Sequence, residues 1–156
     1  MYLNPFDGPK AKIARAKEHF NELVRAQEEA VSRGDAPGVV RPLANDVVTY
    51  DLPPPLEYRG NPALAEKGLR KWFDTWNGPV TTALHSPSVL VDGDLAVVFG
   101  LSRMQGTKKD GTKVDNWNRR TLVLRREEGA WRIVHEHSSY PMLMDGSGKA
   151  ATDLSP

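Results

Sequence analysis

Trp117-Asn118-Arg119-Arg120-Thr121-Leu122-Val123-Leu124-Arg125-Arg126-Glu127-Glu128-Gly129-Ala130-Trp131-Arg132-Ile133-Val134-His135-Glu136-His137-Ser138-Ser139 is the stretch that decides the fold. Two runs rich in β-branched and aromatic residues flank Glu127-Glu128-Gly129, so the stretch reads as an antiparallel hairpin. Upstream, Lys109-Asp110-Gly111 is a second hairpin signal of the Asp-Gly type, joining strands over 95–106 and 114–126. Asp92-Gly93-Asp94 is another turn, preceded by two short β-rich runs at 80–84 and 88–91. The second half of the chain is therefore antiparallel sheet.

The first half is mostly helical. Ile13, Ala16, Phe20, Leu23, Val24, Gln27 and Val31 recur at steps of three and four, which places one apolar stripe on a helix of about 22 residues. Asp7 to Pro9 starts it and Gly34 stops it. Asp35 caps a short second helix. Val47-Val48-Thr49-Tyr50 is a strand, ended by Pro53-Pro54-Pro55 because proline has no N–H for a ladder. Asn61-Pro62 starts a third helix, with Leu69, Trp72, Phe73 and Trp76 along its inner face and Gly78-Pro79 as its stop. Helices grouped early and strands grouped late define an α+β domain. A long sheet of this kind curls around its helices, and the space on its concave side is the natural cavity.

Composition bounds the chemistry. Twenty-one Lys plus Arg stand against 20 Asp plus Glu, a formal charge of +1. A surface built to grip nucleic acid would carry a basic excess, so no nucleic-acid partner is expected. The absence of cysteine excludes a disulfide scaffold, thiolate metal sites and a cysteine nucleophile. No apolar run is long enough to span a membrane, and residues 1–9 lack the apolar core of a secretory signal, so the expected location is cytoplasmic. The 156 residues suit one domain over 1–140, with a Gly-, Ser- and Asp-rich tail over 141–156. No Walker loop, dinucleotide fingerprint or nucleophile elbow is present, so no cofactor is expected.

The candidate chemistry sits on the last two strands. Side chains alternate faces along a strand. Trp117, Arg119 and Thr121 then share one face, and Trp131, Ile133, His135, His137 and Ser139 share one face of the next strand. The same alternation places Arg132, Glu136 and Ser138 on the other side. Arg119, His135 and His137 are expected to form one polar cluster with an aromatic floor, suited to anion recognition or proton transfer. Arg120, Arg125 and Arg126 are expected as exposed strand charges. Tyr50 and Asp51 follow one another and face opposite sides unless the strand ends between them. Tyr50 can donate to a developing oxyanion, and Asp51 can act as a base with a raised pKa. Trp72, Trp76 and Trp117 are candidate apolar walls, and Tyr58 is a candidate lid residue in a loop. Two histidines spaced as His135 and His137 need a third ligand to hold a metal, and nothing brings His19 or His85 to them, so no metal is expected.

The combination of Asn45-Asp46-Val47-Val48-Thr49-Tyr50-Asp51, Pro54-Pro55-Leu56-Glu57-Tyr58-Arg59-Gly60, Trp72-Phe73-Asp74-Thr75-Trp76, Gly93-Asp94-Leu95-Ala96, and the Trp117 to Ser139 stretch resembles the SnoaL-like, ketosteroid-isomerase-like branch of the nuclear transport factor 2 superfamily. The resemblance implies a cone-shaped half-barrel, three helices packed on a strongly curved and mostly antiparallel sheet. It also implies a homodimer through the sheet's outer face and a pocket for a small apolar molecule. A ketosteroid-isomerase-like site would pair a carboxylate base with a tyrosine and a protonated acid; this chain offers Tyr50 with Asp51 or Asp115. An epoxide-hydrolase-like set would need two carboxylates around Arg119, and only Asp51 is placed for it. The expectation is a cofactor-free acid–base enzyme of the isomerase, cyclase or lyase type, acting on an apolar carbonyl compound. The alternative is a ligand-binding or dimeric association module on the same fold.

Overall fold

The computed structural model describes residues 8–156; the leader reading and Asp7 of the helix start lie outside the described residues. Helix α1 (Pro9–Ser32) carries proline in its first turn, and at its end the Arg33 N–H returns to Glu29 O and the Gly34 N–H to Val31 O. The Asp35 carboxylate accepts from Gly38 N at 3.1 Å and opens α2 (Ala36–Val40), as its position predicts. Strand β1 (Leu43–Tyr50) follows, then β2 (Tyr58–Arg59), α3 (Pro62–Phe73), β3 (Thr81–Asp92), β4 (Leu95–Thr107), β5 (Lys113–Glu127) and β6 (Ala130–Ser139). The six strands form one open sheet in the order β2-β1-β6-β5-β4-β3. All neighbours are antiparallel except β1 and β6, which run parallel, so the sheet is mixed.

The apolar stripe of α1 explains where the core lies. Ala16, Phe20 and Val24 pack with Val47, Val98, Leu122, Leu124, Trp131 and Ile133, which fixes the helix across one face of the sheet. Phe20 is fully buried and meets Trp131 edge to face at 4.9 Å. Removing such a side chain from water contributes roughly 1.5–3 kcal/mol. A second cluster gathers Val31, Trp76 and Val80, with Trp72, Phe73, Met104 and Val114 against it.

Several elements differ from the alternation read in the sequence. The runs 80–84 and 88–91 are one strand, β3, broken by a bulge: His85 pairs with Leu101 and Ser88 with Phe99, so Ser86 and Pro87 oppose Gly100 alone. A Cβ on Gly100 would lie 3.2 Å from His85 O, a close approach that glycine makes without displacing the bulge. Tyr58 belongs to the two-residue strand β2, not to a loop, and its hydroxyl donates to Pro54 O at 3.2 Å. Helix α3 stops at Phe73. Trp76 lies beyond it, in an isolated bridge to Lys108. Gly106 admits the Trp76 ring, because a Cβ there would sit 2.8 Å from it. The tail folds back as a closed loop: Leu143 N donates to Lys149 O, Ala151 N donates to Pro141 O, and Ala151 is buried.

One irregularity decides the site. Between β5 and β6 the register shifts: Leu124 pairs with Ile133, but Val123 pairs with His135. Val134 is the extra residue. Directly paired residues share a face, so the bulge reverses the parity of everything after it.

Candidate active site on the inner face of the sheet

Leu122 and Leu124 are fully buried against α1 and define the inner face. Ile133, paired with Leu124, faces inward. Glu136, paired with Leu122, also faces inward, as does Ser138, paired with Arg120. His135 and His137 pair with Val123 and Thr121 and therefore point outward. This corrects the strict alternation, which put both histidines with Trp131 and Ile133. The bulge at Val134 is the physical reason.

The inner face beyond the apolar core is polar. Arg120 is no exposed strand charge. Its side chain is 13% exposed and its Nε donates to Glu136 Oε1 at 2.8 Å, with Glu136 21% exposed. Arg120 Nη2 also donates to Gln27 Oε1 at 3.3 Å, and Gln27 Nε2 donates to Val39 O. The chain thus sets a guanidinium, a carboxylate and an amide from β5, β6 and α1 into one hydrogen-bonded group. Ser102 and Asn118, cross-strand partners on β4 and β5, are buried next to it on the same face.

Asp51 joins this group. It follows Tyr50 at the end of β1, where the prolines release the chain, and its charge interacts with those of Glu136 and Arg120. Water still reaches the side chain, yet the packing around it strips enough solvent to raise the carboxyl pKa above its ordinary value. The Leu52 N–H, 2.7 Å from Oδ1, opposes that rise, Glu136 adds to it, and Arg120 offsets it. Tyr140, just past β6, donates its hydroxyl to Asn116 Oδ1 at 2.8 Å. Burial raises its pKa and Asp51 adds to the effect, so the phenol keeps its proton. Glu28 on α1 is raised by burial as well, while the Leu84 N–H at 2.8 Å and the Arg120 charge oppose the shift. Three carboxylates therefore surround one buried guanidinium. Two of them, Asp51 and Glu28, have their pKa raised by burial, the direction in which a carboxyl is tuned for acid–base work.

Helix α3 carries the apolar wall beside this group. It is amphipathic, yet none of its residues is fully buried. Trp72 and Phe73 are half-buried at its end, 5.4 Å apart by ring centroids, and Trp72 meets Trp76 edge to face at 5.6 Å. Trp76 itself is core, with Lys108 Nζ 3.7 Å above its ring.

The sequence-derived candidates divide between the two faces. Tyr50, His135 and His137 do come together, with Tyr50 4.8 Å and 5.4 Å from the two imidazoles by ring centroids, but on the outer face. His135 Nδ1 lies 2.7 Å from Val48 O, and a carbonyl only accepts, so this nitrogen holds a proton. Arg119 and Trp117 share that outer face; Arg119 Nε donates to Ser139 Oγ at 3.2 Å. Trp117 lies 4.7 Å from His85, with the Arg103 guanidinium over its ring. His85, Arg103, Trp117 and Arg119 line an open groove of about 1020 Å³ together with Phe99, Leu101 and the chain's last two residues; Tyr50, His135 and His137 lie outside it. Of the proposed set, Asp51, Trp72 and Trp76 belong to the inner side, as does Tyr58, whose partner Thr49 pairs with Glu136. The reading missed Tyr140, Asn116, Gln27, Glu28 and the Arg120–Glu136 pair. Gln27 left a signal, since it is an amide within the apolar stripe of α1. Among the described residues no three His, Asp or Glu side chains form a metal-ligating group, and no helix is long and apolar enough to cross a membrane.

This architecture is that of a known family. Residues 21–143 match the model of the SnoaL-like domain, and the chain belongs to that family. Among solved structures, an NTF2-like protein of unknown function from Pseudomonas putida KT2440 is 28% identical, with a TM-score of 0.81 over 92% of this chain and 98% of that one. An NTF2-like superfamily protein from Salmonella enterica serovar Typhimurium LT2 is 22% identical, with a TM-score of 0.71 over 88% and 99%. The association domain of CaMKII from C. elegans is 20% identical, with a TM-score of 0.63 over 81% and 96%. The last two likenesses concern the fold alone. No curated protein matches the sequence.

Proposed function

We propose that this SnoaL-like domain is a small-molecule enzyme of the isomerase, cyclase or lyase type, and that its acid–base group is Asp51. The observation that carries this reading is the position of Asp51, a carboxyl of raised pKa set against Arg120 and Glu136 on the concave face. In this reading Asp51 takes a proton from the carbon next to a substrate carbonyl. The electron pair moves onto the carbonyl oxygen, where the Tyr140 hydroxyl donates to it in place of Asn116. The protonated Asp51 then returns the proton to carbon. Such positioned proton transfer typically contributes 10²–10⁴-fold. Trp72 and Phe73 supply the apolar wall, and Glu136 holds Arg120 in place and balances its charge beside the base.

The test is deuterium exchange at the α-carbon of small apolar ketones in heavy water, followed by proton NMR. Catalysed exchange that disappears in Asp51→Asn supports the reading. A panel of cyclic and aryl ketones showing no exchange above solvent background counts against it.

A second property rests on the outer face. Leu90, Leu95, Phe99 and Leu101 lie there and are exposed, from 38% to 61%. A monomer rarely leaves such a run of apolar side chains in water. We infer that two copies pair through this face and cover Tyr50, His135 and His137. An association role without turnover would need the same surface and no base on the inner side. Sedimentation velocity on the purified chain tests the pairing.

A further inference from the structure

A second recess lies at the other flank of α1, and neither face of the sheet accounts for it. It has a volume of about 340 Å³, at the lower end of the roughly 300–1,000 Å³ typical of small-molecule sites. Helix α1 contributes His19 and Leu23 to it, the segment after α2 contributes Arg41, and the β5–β6 turn with the start of β6 contributes Trp131 and Arg132.

The charge in this recess is one-sided. Its lining holds two guanidiniums and no carboxylate. Most arginines of the described chain are matched: Arg33, Arg59, Arg70, Arg103, Arg120, Arg125 and Arg126 each pair with an acid. Arg41 and Arg132, like Arg25 and Arg119, form no ion pair with an acid among the described residues. Arg132 is nevertheless held in place, because its Nη1 donates to Arg41 O at 2.8 Å. One N–H is thus used to fix the guanidinium, and the remaining donors of its fork stay available. The walls between the cations are apolar: Leu23, Pro42 and an edge of Trp131. A fixed arginine, a second free arginine and an apolar wall recognise an anion that carries a hydrophobic body.

We propose that this recess binds a small organic monocarboxylate, its carboxylate between Arg41 and Arg132 and its apolar body along Leu23 and Trp131. The recess borders the acid–base group at Gln27 but holds none of Asp51, Arg120, Glu136 or Tyr140, so the proposal is tested independently of that reading.

Phenylacetate is the probe, titrated into the ¹⁵N-labelled full chain and followed by amide and indole NMR shifts, with phenylacetamide as its uncharged counterpart and inorganic phosphate as an anion without an apolar body. The expected result is a saturable shift at Gly38, Gly129, Ala130 and the Trp131 indole. Phenylacetate should bind at least tenfold more tightly than either control. Arg132→Ala should weaken it at least tenfold, and Arg103→Ala should leave it unchanged. Equal binding of phenylacetamide or of phosphate overturns the proposal, as do shifts centred on Asp51 and Tyr140. The three-ligand comparison uses the unaltered protein, so it decides the matter even if Arg132→Ala fails to fold.

Discussion

The two faces of strands β5 and β6 use the same residue types to opposite ends. On the outer face, Arg103 grips Asp115 through two bonds of 2.8 Å, and Arg125 reaches Asp46 and Glu127. Water solvates every one of these groups, and exposed pairs of this kind contribute little. On the inner face, Arg120 and Glu136 make one bond of the same length, but in an environment that has lost most of its water. There the pair cannot be separated cheaply, and a neighbouring carboxyl such as Asp51 feels both charges. The difference shows that exposure, more than residue identity, decides how strongly the charges of each polar cluster on this sheet act on their neighbours.

The comparison can be broken by removing one partner on each side. Glu136→Ala leaves a guanidinium without its carboxylate in a largely dry site, and should cost about 3–5 kcal/mol. Urea denaturation should register that loss, while Asp115→Ala on the outer face leaves the midpoint nearly unchanged. Comparable effects from both substitutions would show that the inner pair is as well solvated as the outer one.

Packing gives a somewhat smaller contrast. Gly106→Ala presses a methyl to within 2.8 Å of the Trp76 ring on the inner side and should destabilise by about 1–3 kcal/mol. Its neighbour Gln105, one residue away and on the other face, should accept alanine within about 0.5 kcal/mol. Thermal denaturation of the two variants checks this.

Titration sharpens the contrast further. The folded pKa of Asp51 is raised, so the folded state favours the protonated form. Its contribution to stability is complete below the ordinary carboxylate value and is lost as pH rises through the raised one. Asp51→Asn cannot ionise and keeps an acceptor for Leu52 N. It should therefore melt at a higher temperature than the parent at pH 7, with the advantage fading as pH falls toward 3.8, the ordinary value. Exchange catalysis should follow the opposite course, rising with pH as the base loses its proton. A variant that is more stable and inactive is the usual mark of a strained functional group.

The smallest effect belongs to the outer histidines. His137→Ala should shift monomer stability by no more than about 0.5 kcal/mol. Leu101→Glu, by contrast, should move the sedimentation coefficient to that of a monomer without lowering the inner-face activity.

Much of this fold was legible because its signals are local. The stripe of α1, the Asp35 and Asn61 caps, and the turns at Asp110-Gly111 and Glu128-Gly129 each follow from neighbouring residues. The face of His135 was not legible. Val123 and Val134 are both apolar and β-branched, so nothing in their pattern reveals which one is the extra residue of the bulge. The same slip hid the Arg120–Glu136 pair, whose partners stand 16 residues apart and meet only through the shifted register. Asp51 entered the candidate set because the prolines end β1 beside it. Tyr140 was missed because it follows the last strand and reaches Asn116 from outside the regular alternation. Gln27 stood in plain view as a polar residue on a buried stripe.

The most direct test of the central claim is α-carbon exchange measured side by side for the parent chain, Asp51→Asn and His137→Ala on one ketone. The account predicts that Asp51→Asn loses at least a hundredfold in exchange rate while His137→Ala keeps the parent rate. Exchange that survives in Asp51→Asn and disappears in His137→Ala would contradict it, and would move the chemistry to the outer face.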